Sequence, residues 1–232
     1  MLKVNQLQTY IDQFHILQGV EFNVPEGQVT VILGRNGAGK TTTMRSIMGL
    51  TPGKTGEIIF RGENIMSLPP YEIAKKGIGY VPEDQDIFGS LTVEENMRVA
   101  MRKENNATLE RQEWILSLFP DLKDAWKRKG GNLSGGQKQM LSIARALVNE
   151  TPLLLIDEPS KGLAPIMVEK VMEALQIIRK DTTVLLVEQN FMMASIIGDY
   201  FYILDEGRTV YQGEMQLLKD DDALRMKYLG IS

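Results

Sequence analysis

The 232-residue chain contains no cysteine and only one histidine, His15. The missing cysteines exclude disulfide bonds, cysteine-ligated zinc and iron–sulfur clusters. No run approaches the length of about 18 apolar residues that predicts a membrane span, and no signal-peptide pattern is visible. Basic residues number 26 against 30 acidic ones, so the chain lacks the basic excess typical of nucleic-acid binding. These absences predict a cytoplasmic protein that binds no nucleic acid and reaches a membrane only through a partner.

The remaining composition is that of a folded globular chain, with 43% hydrophobic residues. No linker or repeat divides it, so we expect one domain over residues 1–232. Residues 1–33 alternate short strand patterns with turns, which predicts an N-terminal antiparallel β subdomain. Residues from about 91 to 149 carry helical patterns, beginning with a capping box at Thr92 and Glu95, and predict a helical insertion. Further along, helix and strand patterns alternate, which indicates a parallel sheet and an α/β fold.

The segment Gly34–Thr42 satisfies the pattern G-x-x-x-x-G-K-[ST]. An apolar β-branched stretch, residues 28–33, precedes it, and a helical stretch, residues 41–48, follows it. In that context the backbone N–H groups and the helix N-terminus form a phosphate site. Lys40 is expected to reach the β- and γ-phosphates, and Thr41 to offer its hydroxyl to Mg²⁺. The predicted nucleotide-binding residues of this loop are Gly34, Arg35, Asn36, Gly37, Ala38, Gly39, Lys40, Thr41 and Thr42.

A second half of the site is predicted where four apolar residues, 153–156, are followed by Asp157 and Glu158. Ligands collect at the carboxyl ends of strands in open α/β sheets, so the two carboxylates stand where a nucleotide is expected. Asp157 is predicted to hold Mg²⁺. Glu158 is predicted to polarise the attacking water as a general base. With Lys40, this arrangement predicts hydrolysis of a nucleoside triphosphate.

A third motif, Asn132–Gln137, opens a helix. Ser134 can cap this helix while Gln137 completes a capping box, and Gly135 and Gly136 let a ligand approach the backbone. One domain rarely needs two phosphate-binding helix starts for one nucleotide. The motif is therefore predicted to serve the nucleotide of a neighbouring copy, and the alternative is a well-capped helix without a ligand.

The order of these three motifs resembles the ATP-binding-cassette (ABC) ATPases over essentially the whole chain. The resemblance implies a P-loop NTPase fold of the ABC type and an ATP-hydrolysing dimer with two composite sites. It also implies that Tyr10 stacks on adenine, although ordinary core packing is the alternative. The residues expected to act across the dimer are Leu133, Ser134, Gly135, Gly136 and Gln137.

Four shorter strings, 80–83, 91–96, 158–165 and 187–190, resemble one branch of this family, the ATPases of high-affinity branched-chain amino-acid importers. The likeness is to the second ATPase subunit of such a system. It implies permease partners in the membrane, a homodimer or a heterodimer with another ATPase, and indirectly a solute-binding protein. The chain would lie on the inner face of the cell membrane. An importer of urea or short-chain amides and a soluble non-transport ABC ATPase are the alternatives.

Two positions depart from the general family pattern: Glu83 stands where glutamine is expected, and Gln189 where histidine is expected. A carboxylate about 4 Å from the γ-phosphate would be repelled by roughly 4 kcal/mol at an effective dielectric near 20. Glu83 is therefore expected either to contact Mg²⁺ or its water, or to face the membrane partner, with Gln85 as a substitute sensor. Gln189 can donate a hydrogen bond to the γ-phosphate but cannot carry a proton. His15 is expected to be structural or exposed.

The loop from Glu83 to Thr92 contains an apolar pair, Ile87 and Phe88. In the family this region and the helical insertion form the groove that receives a cytoplasmic helix of the permease. Exposed apolar residues tend to mark interfaces, so the pair fits that task. Packing of the loop against its own domain is the alternative.

Overall fold

The computed structural model describes residues 1–230, and within them ten strands form two sheets. A four-stranded antiparallel sheet has the order β2-β1-β4-β5, and a six-stranded sheet has the order β10-β9-β3-β8-β7-β6. The strands are β1 (Leu2–Ile11), β2 (Phe14–Val24), β3 (Val29–Leu33), β4 (Gly53–Phe60), β5 (Glu63–Asn64), β6 (Ile78–Val81), β7 (Leu153–Asp157), β8 (Thr183–Val187), β9 (Tyr200–Asp205) and β10 (Arg208–Glu214).

The six-stranded sheet is parallel except for β10, which pairs antiparallel with β9. Its central strands β3, β7 and β8 are buried at every position, as expected when both faces of a parallel sheet are covered. Side chains alternate between two cores: Leu154 and Ile156 pack towards the helices, whereas Leu153 and Leu155 pack towards the antiparallel sheet. The predicted α/β fold with an N-terminal antiparallel sheet is confirmed.

The helices are α1 (Lys40–Ile47), α2 (Pro70–Lys75), α3 (Val93–Ala100), α4 (Asn106–Leu118), α5 (Pro120–Asp124), α6 (Gly135–Leu147), α7 (Pro165–Ile178), α8 (Phe191–Ile197), α9 (Met215–Asp220) and α10 (Asp222–Leu229). The segment between β6 and β7 contains α3 to α6 and no strand. The predicted capping box at Thr92 and Glu95 is confirmed at the start of α3. The boundaries of a helical subdomain at about residues 91 and 149 stay a prediction.

Among residues 1–230, no helix combines the length and the apolar character that crossing a membrane requires.

Candidate nucleotide site

The loop between β3 and α1 has backbone geometry that requires glycine at both ends. Gly34 has a φ of +152°, and a Cβ atom there would overlap the carbonyl oxygen of Leu204. Gly39 has a φ of +98°, and a Cβ atom would lie 2.6 Å from Leu17 Cδ2. Both φ values are ones that glycine adopts without steric cost. The loop therefore curls tightly before α1 begins at Lys40.

The Lys40 ammonium is fixed over this loop by the loop's own carbonyl groups. Its Nζ donates hydrogen bonds to the oxygens of Gly34, at 3.0 Å, and Arg35, at 3.2 Å. It also lies 3.4 Å from Glu158 Oε1, and the side chain is only 4% exposed. Because the Lys40 ammonium is buried and lines the cavity, a phosphate group can replace the Glu158 carboxylate as its charge partner.

The other predicted loop residues separate into two groups. The cavity above the loop is lined by Asn36, Gly37, Gly39, Lys40, Thr41 and Thr42. Ala38 is buried. The Arg35 guanidinium instead reaches the last turn of α10, where it lies 3.4 Å from the carbonyl oxygen of Lys227.

Asp157 ends β7 with a fully buried carboxylate, and neither of its oxygens has a hydrogen-bond partner among the described residues. Desolvation, together with the charges of Glu158 and Glu83, raises the pKa of Asp157 to about 6. The Thr41 hydroxyl and the Lys40 ammonium lower the pKa in part, although no hydrogen bond of ordinary geometry joins Thr41 to Asp157. An unpartnered buried carboxylate beside a hydroxyl is the donor set that a Mg²⁺ ion would satisfy.

Glu158 adopts a left-handed backbone conformation, with a φ of +47°. Its N–H group donates to the carbonyl oxygen of Val187 at 2.9 Å, which ties the end of β7 to β8. The carboxylate is 7% exposed and accepts a hydrogen bond from Gln189 Nε2 at 2.6 Å. The same amide nitrogen donates to Asn36 Oδ1 at 2.6 Å. The structure thus brings together the three predicted catalytic side chains, those of Lys40, Glu158 and Gln189.

Above the phosphate loop lies a cavity of about 310 Å³, and its lining includes three residues from outside the loop in addition to Glu158: Ile16, Glu83 and Lys161. Lys161 Nζ forms an ion pair with Glu83 and lies 3.6 Å from Glu158 Oε2. The sequence interpretation missed Lys161, although its place three residues after Glu158 was a usable signal. It also missed Ile16, for which the sequence offered no signal.

Tyr10 lies outside the lining of this cavity. Tyr10 is 42% exposed, and its ring stacks on the only histidine, His15, with 4.2 Å between the ring centroids and 11° between the planes. The pairing of β1 with β2 shifts register between Thr9 and Tyr10, and on β2 it is Ile16 that faces the phosphate loop. Adenine stacking by Tyr10 stays a prediction.

Glu83 and Gln85 are two residues apart, yet they line different cavities. Gln85 lines a second cavity of about 250 Å³, which does not include the phosphate loop. Gln85 and Asp86 both have left-handed backbones, with φ values of 66° and 45°. Their carbonyl oxygens accept hydrogen bonds from two α6 side chains, Ser142 Oγ at 2.7 Å and Arg145 Nη1 at 2.5 Å. The segment therefore joins the nucleotide cavity to α6.

The loop that follows is held by the buried side chain of Asn96, which accepts from the N–H group of Phe88 and donates to the carbonyl oxygens of Phe88, Leu91 and Thr92. Ile87 packs partly against the protein's own core. Phe88 is 45% exposed, and the guanidinium carbon of Arg145 lies 4.8 Å from its ring centroid.

The motif before α6 presents an exposed helix start. Ser134 Oγ accepts from the Gln137 N–H group at 3.3 Å, and Gln137 Oε1 accepts from the Ser134 N–H group at 3.1 Å, which confirms the predicted capping box. Ser134 and Gly135 are exposed, whereas Leu133 and Gly136 are buried. None of these described residues lines the phosphate cavity of its own chain. Their role across a dimer stays a prediction.

Comparisons with known proteins give one consistent family. The ABC transporter family matches residues 17–161. The chain is 37% identical to the high-affinity branched-chain amino acid transport ATP-binding protein BraG of Pseudomonas aeruginosa, over 99% of this chain and 100% of BraG. It is 36% identical to the probable branched-chain amino acid transport ATP-binding protein LivF of Archaeoglobus fulgidus, over 100% of this chain and 99% of that one. A solved dimeric ATP-binding cassette in a post-hydrolysis state, bound to ADP and Pi, superposes with a TM-score of 0.82 at 26% identity, over 93% of this chain and 99% of the other.

Proposed function

The chain belongs to the ABC transporter family of ATP-hydrolysing cassettes, and from this premise we propose that it is the ATPase subunit of a branched-chain amino-acid importer. The observation that carries the proposal is the full-length similarity to BraG and LivF, whose names state that transport. The contacts of Lys40 and Gln189 with the Glu158 carboxylate support the hydrolytic part.

The proposed roles follow from the side-chain contacts. Lys40 binds the β- and γ-phosphates after it exchanges the Glu158 carboxylate for them. Glu158, freed from Lys40, takes a proton from the attacking water as general base. Gln189 holds the Glu158 carboxylate, and it can donate its second amide hydrogen to the γ-phosphate once it gives up its hydrogen bond to Asn36, but it carries no proton. The remaining phosphate-loop residues bind the phosphates through their backbone N–H groups.

Mg²⁺ fits the donor set of Thr41 and Asp157, because the buried Asp157 carboxylate has no partner among the described residues. Glu83, which lines the same cavity, is a further candidate ligand. When bound, the ion would neutralise charge that develops on the phosphate oxygens.

The exposed start of α6 supports a dimer in which Ser134, Gly135 and Gly136 approach the nucleotide of the partner. The Gly135 backbone is open, since a Cβ atom there would meet only Leu163 Cδ2, at 3.9 Å. The helix N-terminus supplies positive partial charge for a phosphate. ATP would close two composite sites, and hydrolysis would reopen them. The second subunit is either a copy of this chain or a related ATPase.

The proposed permease site is a groove of about 740 Å³ between α2, β6, α6 and the segment after α3. Its lining combines apolar surface with four cationic side chains, those of Lys75, Arg102, Lys103 and Arg145. Within the described part of the chain, none of the four has a carboxylate within ion-pair distance. Charge complementarity therefore favours a cytoplasmic permease helix that carries a carboxylate.

The test is affinity purification of the tagged chain from its own cells in mild detergent, with mass spectrometry of the proteins that accompany it. The proposal expects polytopic membrane proteins and a loss of them in the double variant Lys75→Glu/Lys103→Glu, but not in the surface control Lys180→Glu. Uptake of leucine, isoleucine, valine and urea then identifies the solute class. Ribosomal or other soluble partners without membrane proteins would contradict the transport role.

A further inference from the structure

The ion pair between Lys161 and Glu83 joins two loops that end neighbouring strands of the parallel sheet. Glu83 follows β6, and Lys161 follows β7 in the loop that carries Glu158. Lys161 also lies 3.6 Å from Glu158 Oε2, so one ammonium group serves two carboxylates. Lys161 is 58% exposed and Glu83 is 28% exposed, at the rim of the phosphate-loop cavity.

The position of this pair relates it to the terminal phosphate. The phosphate-loop lysine reaches the β- and γ-phosphates in sites of this pattern. Here that lysine is Lys40, which lies 3.4 Å from one oxygen of Glu158, while Lys161 approaches the other oxygen. Glu83 and Lys161 thus stand beyond Glu158, at the end of the cavity where the γ-phosphate of ATP, but no phosphate of ADP, is expected.

A carboxylate at this end of the cavity would by itself repel a triphosphate. We propose that Lys161 is a positioning residue that neutralises Glu83 beside the γ-phosphate, so that the net charge of this pair sets how strongly the chain prefers ATP to ADP. The inference rests on the proposed ATP site. It assigns a purpose to the glutamate that replaces the family's glutamine: Glu83 and Lys161 form one charge-matched unit.

We expect Lys161 to affect nucleotide binding rather than the stability of the fold. Exposed ion pairs contribute little to stability, so loss of Lys161 should leave thermal unfolding almost unchanged. The electrostatic effect on a bound phosphate, in contrast, depends on the sum of the two charges. Replacing Lys161 by methionine leaves a net charge of −1 at the pair, and replacing Glu83 by glutamine leaves +1. Making both changes returns the pair to zero.

The experiment is isothermal titration calorimetry of the purified chain with ATP and with ADP, in EDTA so that no metal bridges protein and phosphate. Lys161→Met should weaken ATP binding about tenfold, the order expected of one unit charge several ångströms away, and ADP binding by less than about threefold. Lys161→Arg should restore the ATP affinity. Glu83→Gln should bind ATP more tightly than the wild type, and Lys161→Met/Glu83→Gln should return close to the wild-type value.

The outcomes separate this inference from the proposed function. If the wild-type chain binds neither nucleotide, the ATP site itself is refuted. If the wild type binds ATP normally but the double variant remains as weak as Lys161→Met, Lys161 does not act through Glu83 and the inference is overturned. Equal losses for ATP and ADP, or weaker ATP binding in Glu83→Gln, would overturn it as well. Thermal melts of every variant show whether it is folded.

Discussion

Gly135 and Gly136, the first two residues of α6, should have different roles: Gly135 in dimerisation and Gly136 in packing. Replacing each by alanine tests this. A Cβ atom at Gly136 would overlap the Met167 side chain, lying 2.8 Å from its Cγ and 3.1 Å from its Cβ. Met167 belongs to α7 and packs against the core, so its stem cannot simply swing away. A Cβ atom at Gly135 would meet only Leu163 Cδ2, at 3.9 Å, which is ordinary van der Waals contact.

Two opposing contributions determine how far Gly136→Ala changes the free energy of unfolding. Overpacking at Gly136 costs about 1–3 kcal/mol, and the better helix propensity of alanine returns up to about 1 kcal/mol, so Gly136→Ala should lose roughly 1–2 kcal/mol. For a chain of this size each kcal/mol lowers the melting temperature by about 2–4 °C. Gly135→Ala should melt at or slightly above the wild-type temperature. It should nevertheless lose ATP-dependent dimerisation, because its methyl group covers the exposed helix start.

The assay combines thermal unfolding with light scattering in the presence of ATP, in a Glu158→Gln background that keeps the nucleotide intact. The Glu158→Gln chain without a glycine substitution is the matched control. Normal dimerisation of Gly135→Ala would refute the role of this glycine across the dimer. Equal destabilisation by both alanines would refute the steric reasoning.

Four further perturbations have defined outcomes. Asn96→Ala removes four hydrogen bonds that hold the loop 88–92, which should cost about 2–3 kcal/mol in urea unfolding and speed proteolysis of that loop. Arg179→Met breaks a partly exposed pair with Asp199, with 2.6 Å to each carboxylate oxygen, and should cost about 1 kcal/mol in the same assay. Chelation of Mg²⁺ should stop phosphate release while ATP still binds, and Asp157→Asn should behave alike with the metal present; unchanged phosphate release in EDTA would contradict a metal-dependent site.

Much of the candidate site could be predicted because its residues lie within a few positions of one another in the sequence. The phosphate loop depends on glycines and a lysine within nine residues, and the carboxylates at 157 and 158 follow directly from a buried strand. The capping box at Ser134 and Gln137 is likewise local. Each of these features is decided by backbone geometry and hydrogen bonds between near neighbours.

The rest depended on contacts between distant segments. Lys161 and Glu83 are 78 positions apart, so their ion pair follows from the parallel alignment of β6 and β7 rather than from either string. The direction of Tyr10 depends on the register shift between β1 and β2, which strand propensity does not determine. The exposure of Phe88 depends on Asn96 and Arg145, which reach the loop from two different helices.

The short connection from Glu83 to Gln85 also limits how the chain can move. The backbone spans at most about 7 Å over two residues, and the far end is fastened to α6 by Ser142. The backbone between the nucleotide cavity and α6 is therefore too short for Glu83 to move far without moving the Gln85 end of the connection as well. A displacement of Glu83 by a ligand must therefore be absorbed by α6 or by the two left-handed residues, Gln85 and Asp86. One glycine inserted after Glu83 would lengthen this connection, so that a displacement of Glu83 would no longer be transmitted to the groove lined by Lys75, Arg102, Lys103 and Arg145. The phosphate-binding residues would be unchanged.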